Sequence, residues 1–396
     1  MLSWAFPPRA TGGIAAQVAG LSAALAQAGH DVVVLTVADR PAELAARPPE
    51  GVRVLRTLVD LPWLPPVEAV TRVASANHAI TKLGNRFTGD LDGWCPDIVH
   101  GHDWQLGWAA DSLAAQYDAP FVLTMHGTER VRHGGQLPLG HPTDINSIEW
   151  WLAFQADRMV SPTRFIVEQL ITSFELAVDH VAHIPNGIDP DLWRPAGPTA
   201  HAANDPRPPL VASWGRVQYE KGFQVLARAM HEVRSRVADV HGVIAGRGSY
   251  LPELQTQMDV EGVSDIVELP GFLADHELRA LVHRSGCVVI PSLYEPFGIV
   301  ALEALAAGAP LIVARTGGLA ELVAGTQAAI TFEPGNPDDL ADAIEQVLTN
   351  PRLVDILVTN ARDLVERKYS WSAIARSTAT LYDEVVSVGR RPAAAR

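Results

Sequence analysis

Residues 285–321 read SGCVVIPSLYEPFGIVALEALAAGAPLIVARTGGLAE. Cys287 to Pro291 is a short apolar run rich in Val and Ile, bounded by Gly286 and Pro291, which predicts a buried strand. Glu295-Pro296-Phe297-Gly298 predicts a turn. Ile299 to Ala307 is rich in Ala and Leu and stops at Gly308, which predicts a helix with a glycine stop. Leu311 to Ala314 predicts a second buried strand, closed by Thr316-Gly317-Gly318. Strand, helix, strand in this order is one βαβ unit of a parallel sheet, so the fold class is α/β.

Two carboxylates interrupt this apolar unit. Glu295 lies just beyond the carboxyl end of the first strand, where ligands of open α/β sheets collect. Glu303 lies on the following helix, with seven residues between the two. Read singly, Glu295 is a turn residue and Glu303 a solvated helix face. The N–H groups that open the helix, at Ile299 and Val300 after Phe297-Gly298, suit an anion such as phosphate.

Read together, Glu-Pro-Phe-Gly and a second Glu after seven residues resemble a family signature. It is that of the retaining nucleotide-sugar glycosyltransferases of the glycogen-synthase-like family, glycosyltransferase family 4 or a close relative. The resemblance implies that Glu295 holds hydroxyls of the donor sugar and Glu303 the donor ribose. It covers nearly the whole chain and is strongest at residues 97–128, 184–189, 213–222 and 286–321.

Composition narrows the alternatives. The chain has 396 residues, a length that suggests two to three domains. Its formal net charge is −14 with only 31 Lys and Arg, which argues against a general nucleic-acid binder. Cys95 and Cys287 are its only cysteines, far apart in sequence, so neither a disulfide framework nor a cysteine metal motif is expected. The N-terminus lacks a basic region followed by an apolar core, so no signal peptide is expected and a reducing cytoplasm is the default. No apolar run reaches the ~20 residues of a membrane span. The nearest, Ile299 to Ala314, contains Glu303, Gly308 and Pro310.

Taken in order, Met1 to Trp4 predicts a strand, either short or the end of one that begins upstream. Thr11-Gly12-Gly13 follows, then a helix from Ile14 to Ala28 and a strand from Asp31 to Val37. Gly12 and Gly13 would let backbone approach a phosphate at the helix N-terminus, or serve only as a tight turn. In the glycogen-synthase branch a Lys usually stands three residues before the second Gly; here the place is Ala10. Residues 39–92 are broken by prolines, and Val67 to Leu83 predicts an amphipathic helix packed on the domain, with peripheral membrane or acceptor contact as the alternative.

Asp97 to His100 and Phe121 to Met125 predict strands, each followed by polar residues: Gly101-His102-Asp103-Trp104 and His126-Gly127-Thr128. His-Asp-Trp here resembles the glycogen and starch synthases, and His126 matches the family's active-site His beside the donor sugar. His100, His102 and His126 lack the spacing of a metal motif, so no metal is expected. Val131 to Asn146, rich in Gly and His, predicts a cleft loop. Asp103, Arg130 and His133 are the candidate acceptor-binding residues. Ile148 to Ala156 predicts a helix, and Arg158–Ser161 and Ile184 predict short strands before the turn Pro185-Asn186-Gly187. Eight of the ten Trp lie in residues 1–193, as core or as platforms for sugar rings.

Residues 193–208 are Pro-rich and without periodicity, which predicts a linker between an N-terminal domain at 1–192 and a C-terminal one at 209–370. The second domain opens with a strand from Leu210 that ends in Gly215-Arg216, followed by Lys221-Gly222 and a helix from Phe223 to Ser235. Val240–Ala245 and Val267–Leu269 predict further strands, with Gly271-Phe272-Leu273 as another strand-end loop. Residues 338–367 predict helix with polar loops, and Trp371 to Val388 a last helix with Trp371, Ile374, Leu381 and Val385 as its apolar stripe. Arg216 and Lys221 are cations fixed just past a strand. A nucleoside-diphosphate leaving group gains negative charge as the sugar bond breaks, so cations there favour the transition state. The family places an Arg and a Lys here in the same roles.

The resemblance implies a GT-B fold: two Rossmann-like domains with parallel sheets facing a cleft, and residues 371–396 packing back on the N-terminal domain. It implies His126, Arg216, Lys221 and Glu295 as catalytic. The donor-binding set is Gly12, Gly13, Leu273, Phe297, Gly298, Ile299, Val300 and Glu303. The expected reaction is metal-independent, cofactor-free transfer of a hexose, glucose from ADP- or UDP-glucose, with retention, to an α-glucan or related oligosaccharide. The alternatives are a mannosyl- or other hexosyltransferase acting on a lipid or small metabolite, a nucleotide-sugar epimerase, and a catalytically silent glycan-binding protein.

Overall fold

The computed structural model describes residues 1–9, 13–59, 69–86, 93–133, 136–195 and 208–390. The chain divides into two compact units, residues 1–187 with the helix Trp371–Val388, and residues 188–370. The boundary lies five residues before the sequence-based one at 192. Ile188 donates its N–H to the carbonyl of Tyr369 at 2.8 Å, and Trp193 is buried against Trp214, so this segment belongs to the second unit. Most of the expected linker, residues 196–207, lies outside the described residues.

The first unit holds a seven-stranded, all-parallel sheet. Its strands are β1 (Leu2–Ser3), β2 (Val32–Ala38), β3 (Val52–Leu58), β4 (Val99–His102), β5 (Phe121–Thr124), β6 (Arg158–Ser161) and β7 (Val181–His183), in the order β3-β2-β1-β4-β5-β6-β7. The second unit repeats the plan with β8 (Leu210–Trp214), β9 (His241–Ala245), β10 (Val267–Gly271), β11 (Cys287–Ile290), β12 (Leu311–Ala314) and β13 (Ile330–Phe332), ordered β10-β9-β8-β11-β12-β13. Each sheet therefore reverses its strand order once, between β1 and β4 and between β8 and β11, and leaves a crevice at the carboxyl ends there.

The apolar runs are continuous because both faces of each sheet are covered. In β2, Val33, Leu35 and Val37 enter one core while Val32 and Val34 enter the other. In β11 and β12, Val288, Ile290, Leu311 and Val313 face one core; Cys287, Val289, Ile312 and Ala314 face the second. The last helix places Ile374, Leu381 and Val385 in the same core as Val18, Leu21 and Leu25 of the helix Gly13–Gln27. Trp371 sits in a seat made of glycine. A Cβ at Gly20 would meet its indole at 2.1 Å, and one at Gly187 at 2.4 Å.

Three sequence expectations change. β3 lies inside the stretch read as irregular; it is an edge strand, mostly half-buried, and its two arginines break the apolar signal. β7 ends just before Ile184 instead of including it. Residues 131–146 are not one loop: Glu129–Arg132 forms a helical turn capped by the Thr128 side chain, and a helix already begins at His141 and runs to Gln155. Pro142 and Asp144 in its first turn supply the start signal that its sparse apolar content hid. Residues 338–367 form two successive helices, Pro337–Thr349 and Pro351–Leu364, parted at Asn350, whose side chain caps the second.

Candidate active site

In the second unit the loop after β8 lies across the loop after β11. Lys221 ends a short 3-10 turn, Tyr219–Lys221, and Gly222 then takes φ 70° before the helix Phe223–Arg236. A Cβ on Gly222 would fall 1.8 Å from the carbonyl oxygen of Pro291, so only glycine allows this approach. The carbonyl of Glu220 accepts the N–H of Leu293 at 2.8 Å, which stitches the two loops together. The result is an ion pair beside the crevice. Lys221 Nζ donates to Glu295 Oε2 at 2.7 Å, with both side chains largely buried. Ser292 Oγ donates to the same oxygen at 3.3 Å. Among the described residues none bonds to Glu295 Oε1.

The backbone of Glu295 is fixed from the other side. Its carbonyl accepts the N–H of Gly318 at 2.9 Å, and a Cβ on Gly318 would meet the Pro296 carbonyl at 2.4 Å. Phe297 and Gly298 are buried, and the helix Ile299–Ala306 starts directly after them. Its first internal bonds are those from the N–H groups of Ala301 and Leu302 to Gly298, so the N–H groups of Ile299 and Val300 lie outside the helical ladder. No acidic residue stands in that first turn. Leu273, Ile299 and Val300 are partly buried and pack against the same core.

Glu303 does not face open solvent. It is half-buried and accepts the Trp214 Nε1–H at 3.0 Å. Burial pushes its pKa up to about 7, against the pull of that hydrogen bond and with the Asp275 charge adding to the rise. Trp214 itself, the last residue of β8, was not singled out in the sequence. Its partner lies 89 residues further on, on the fourth α-helix after β8, so no local pattern marks it. Arg216 is exposed and makes no ion pair among the described residues.

In the first unit Asp103 directly follows β4 with φ 56° and ψ −179°, a backbone strained for any residue but glycine. It is buried, its Oδ1 accepts the His126 N–H at 2.8 Å, and its Oδ2 bonds to no described residue. His126 carries a side-chain hydrogen bond with Asn186. Burial holds its imidazole below the ordinary value, against the pull of Asp103 and Asn186. Gly13 opens the helix Gly13–Gln27, while Ala10 and Gly12 lie outside the described residues.

Glu149 is a further group that sequence reading passed over. It is fully buried on the helix His141–Gln155, and its two oxygens accept the Glu129 N–H at 3.1 and 3.0 Å. Burial drives its pKa up to about 8; the Glu129 N–H and Arg132 oppose this, and Asp103 and Glu129 add to it. Glu129 in turn accepts from Arg132 at 3.1 Å and pairs with His133 at 3.2 Å. His133 is thus exposed but tied to its own turn, and Arg130 on the same turn is half-buried. Of the tryptophans described in the first unit, Trp104 is buried, Trp4, Trp94, Trp108 and Trp151 pack against the core, and Trp150 is half exposed. Among the described residues no three His, Cys, Asp or Glu side chains are grouped to hold a metal ion, and no helix is long and apolar enough to cross a membrane.

Two doubly wound parallel sheets, each with its polar residues gathered past the strand ends at the reversal point, define a GT-B glycosyltransferase. Residues 200–364 match the family described as glycosyl transferases group 1, and residues 11–192 match Glycosyltransferase Family 4. The chain is 34% identical over 397 residues to glycogen synthase of Mycobacterium tuberculosis, covering 96% of this chain and 93% of that protein. Among solved structures it resembles sucrose-phosphate synthase of Thermosynechococcus elongatus (TM-score 0.80, 22% identity, 98% of both chains). The catalytic domain of starch synthase IV of Arabidopsis thaliana, bound to ADP and acarbose, is also similar (TM-score 0.76, 18% identity, 98% of both chains). The chain belongs to the glycogen-synthase-like family of GT-B glycosyltransferases and is an enzyme of that class.

Proposed function

We propose that the protein transfers glucose from ADP-glucose or UDP-glucose, with retention and without a metal ion or cofactor, to an α-glucan or related oligosaccharide. The observation that carries this reading is the Lys221–Glu295 pair, locked past β8 and β11 beside the open N-terminus of the helix Ile299–Ala306. A cation and unpaired N–H groups are a seat for a diphosphate. Lys221 and Arg216 stabilise the charge that builds on the leaving group. Glu295 Oε1 takes a donor-sugar hydroxyl, and Glu303, steered by Trp214, takes the ribose. The leaving phosphate accepts the acceptor's proton, so the chemistry asks for no protein nucleophile. In this reading His126 faces the donor sugar, and Asp103, which accepts the His126 N–H, orders the strand-end loops that position the acceptor hydroxyl. The glycogen synthase and starch synthase relatives support glucose and an α-glucan by their names.

The test is to incubate the protein with a panel of nucleotide sugars and maltooligosaccharides in a strong chelator. Nucleoside diphosphate release with elongation of an α-1,4-glucan is the expected result. Lys221→Ala should then lose ~10²–10³-fold in kcat, the scale of one lost oxyanion donor. A requirement for Mg²⁺ or Mn²⁺ would overturn the metal-free mechanism. A second reading, transfer to a lipid or small metabolite, is favoured by Ala10 standing where the glucan-elongating branch has Lys. Donor turnover with such acceptors and none with maltooligosaccharides would establish it.

A further inference from the structure

The first unit holds a column of rings that the proposed chemistry leaves unexplained. His100 and His102 stand two residues apart on β4, so their side chains leave the same face of the sheet. Their ring centroids are 4.3 Å apart with planes inclined by 25°. His102 is also nearly parallel to His126, at 5.7 Å and 19°. One end of the column is anchored at both nitrogens. His100 Nδ1 lies 2.6 Å from Tyr382 Oη, on the last helix, and His100 Nε2 lies 2.7 Å from Thr124 Oγ1.

The middle ring is different. His102 is 3% exposed. Its Nδ1 meets His126 Nε2 at 3.4 Å, and its Nε2 is buried without a partner among the described residues. The column lines a cavity of about 30 Å³, shared with Gln17, Asn186 and Thr378. One water needs ~10–15 Å³ measured this way, so the cavity has room for it beside the orphaned nitrogen. A neutral imidazole has one N–H and one lone pair. Across the 3.4 Å contact one ring must donate and the other accept, and the choice at His102 Nδ1 fixes what His102 Nε2 requires. The two tautomers are therefore coupled: whichever form one ring takes, the other must take its complement, and water in the cavity completes the hydrogen bonding of His102 Nε2. Burial disfavours the charged form of all three rings, His100 with a pKa lowered to about 3.

We infer that His102, backed by His100 and Tyr382 and by a water in this cavity, is a positioning residue that fixes the tautomer and ring orientation of His126. The inference rests on the reading of His126 as a residue that faces the donor sugar. Its direct test does not require turnover. In protein labelled with ¹⁵N at histidine, His102 and His126 should each show the nitrogen shifts of a single neutral tautomer, the two joined at Nδ1 and Nε2. His102→Phe keeps the stack and removes both nitrogens; the His126 signals should move toward a tautomeric average. Kinetically, His102→Phe should lower kcat by ~10-fold or more, within the loss a small misplacement can cause, with KM for the donor within about twofold. His102→Gln restores one nitrogen and one oxygen and should recover most of kcat and the single-tautomer spectrum. Unchanged His126 shifts in His102→Phe would overturn the inference. So would equal losses of kcat in Phe and Gln that track a fall in melting temperature. If Phe does not fold, a tautomer-averaged His126 in wild type or in Gln overturns it. Should the protein transfer no sugar at all, the spectra still decide the positioning claim, so the two readings fail separately.

Discussion

Glu149 stores an energy that depends on pH. Its pKa is about 4.5 unfolded and about 8 folded, so the native state holds the proton more tightly. Below pH ~4.5 both states are protonated and the contribution is complete. Between the two values the unfolded chain ionises first, so stability falls as pH rises, and above pH ~8 the loss is complete. Each pKa unit is worth about 1.4 kcal/mol, so the full effect is a few kcal/mol at most. Glu149→Gln keeps an acceptor for the Glu129 N–H and carries no charge. It should melt several degrees above the wild type at pH 8, and this gap should close toward pH 5. A gap that is the same at both values would mean that Glu149 is already ionised in the native state. No local pattern announces such a residue. Its donor stands twenty positions earlier in the chain, and on its own helix it reads as one more polar side chain.

At the scale of elements, the site is held by places where two loops touch through backbone. Gly222 against Pro291 and Gly318 against Pro296 leave no room for a Cβ. Gly222→Ala must therefore separate the loops after β8 and β11 and adopt a left-handed φ with a side chain. We expect a loss of ~1–3 kcal/mol in stability, the usual cost of forced overpacking, and a larger loss in turnover than a pure stability change explains. Hydrogen exchange at Leu293, whose N–H bonds Glu220, should speed up in the same variant; unchanged exchange there would place the strain elsewhere. The punctuation that makes these contacts is also what made the loops legible: Gly215, Gly222, Pro291, Pro296 and Gly298 delimit them in the sequence. The apolar runs of β2, β5, β11 and β12 were legible because covered faces demand continuous Val, Ile and Leu. β3 and β13 were not, one alternating with arginine at a sheet edge and the other only three residues long. Nor was the Glu303–Trp214 bond, whose partners lie 89 residues apart.

On the scale of the molecule, the first unit is discontinuous in sequence. Its last helix, Trp371–Val388, supplies Ile374, Leu381 and Val385 to the core shared with Val18 and Leu25, and Tyr382 to His100. Removing residues 371–396 should lower the stability of the first unit specifically. Exchange protection should be lost in β1, β2 and β4, while β8, β11 and β12 keep theirs. Equal loss in both sheets would show that the helix supports more than its own unit. Gly20→Val tests the same seat more gently, since Trp371 must leave it; a melting temperature unchanged by that substitution would contradict the packing described.

The seat of Trp371 also sets a timetable for the nascent chain. A ribosome finishes all strands of the first unit by residue 183 and yet withholds the piece that closes its core until residue 371 and beyond has been translated. At ~5–20 residues per second, the open face with Val18, Leu21 and Leu25 waits on the order of ten seconds or more. The second unit, begun later, has all its strands earlier than the first has its lid. During that interval the exposed apolar face is the natural target for a chaperone.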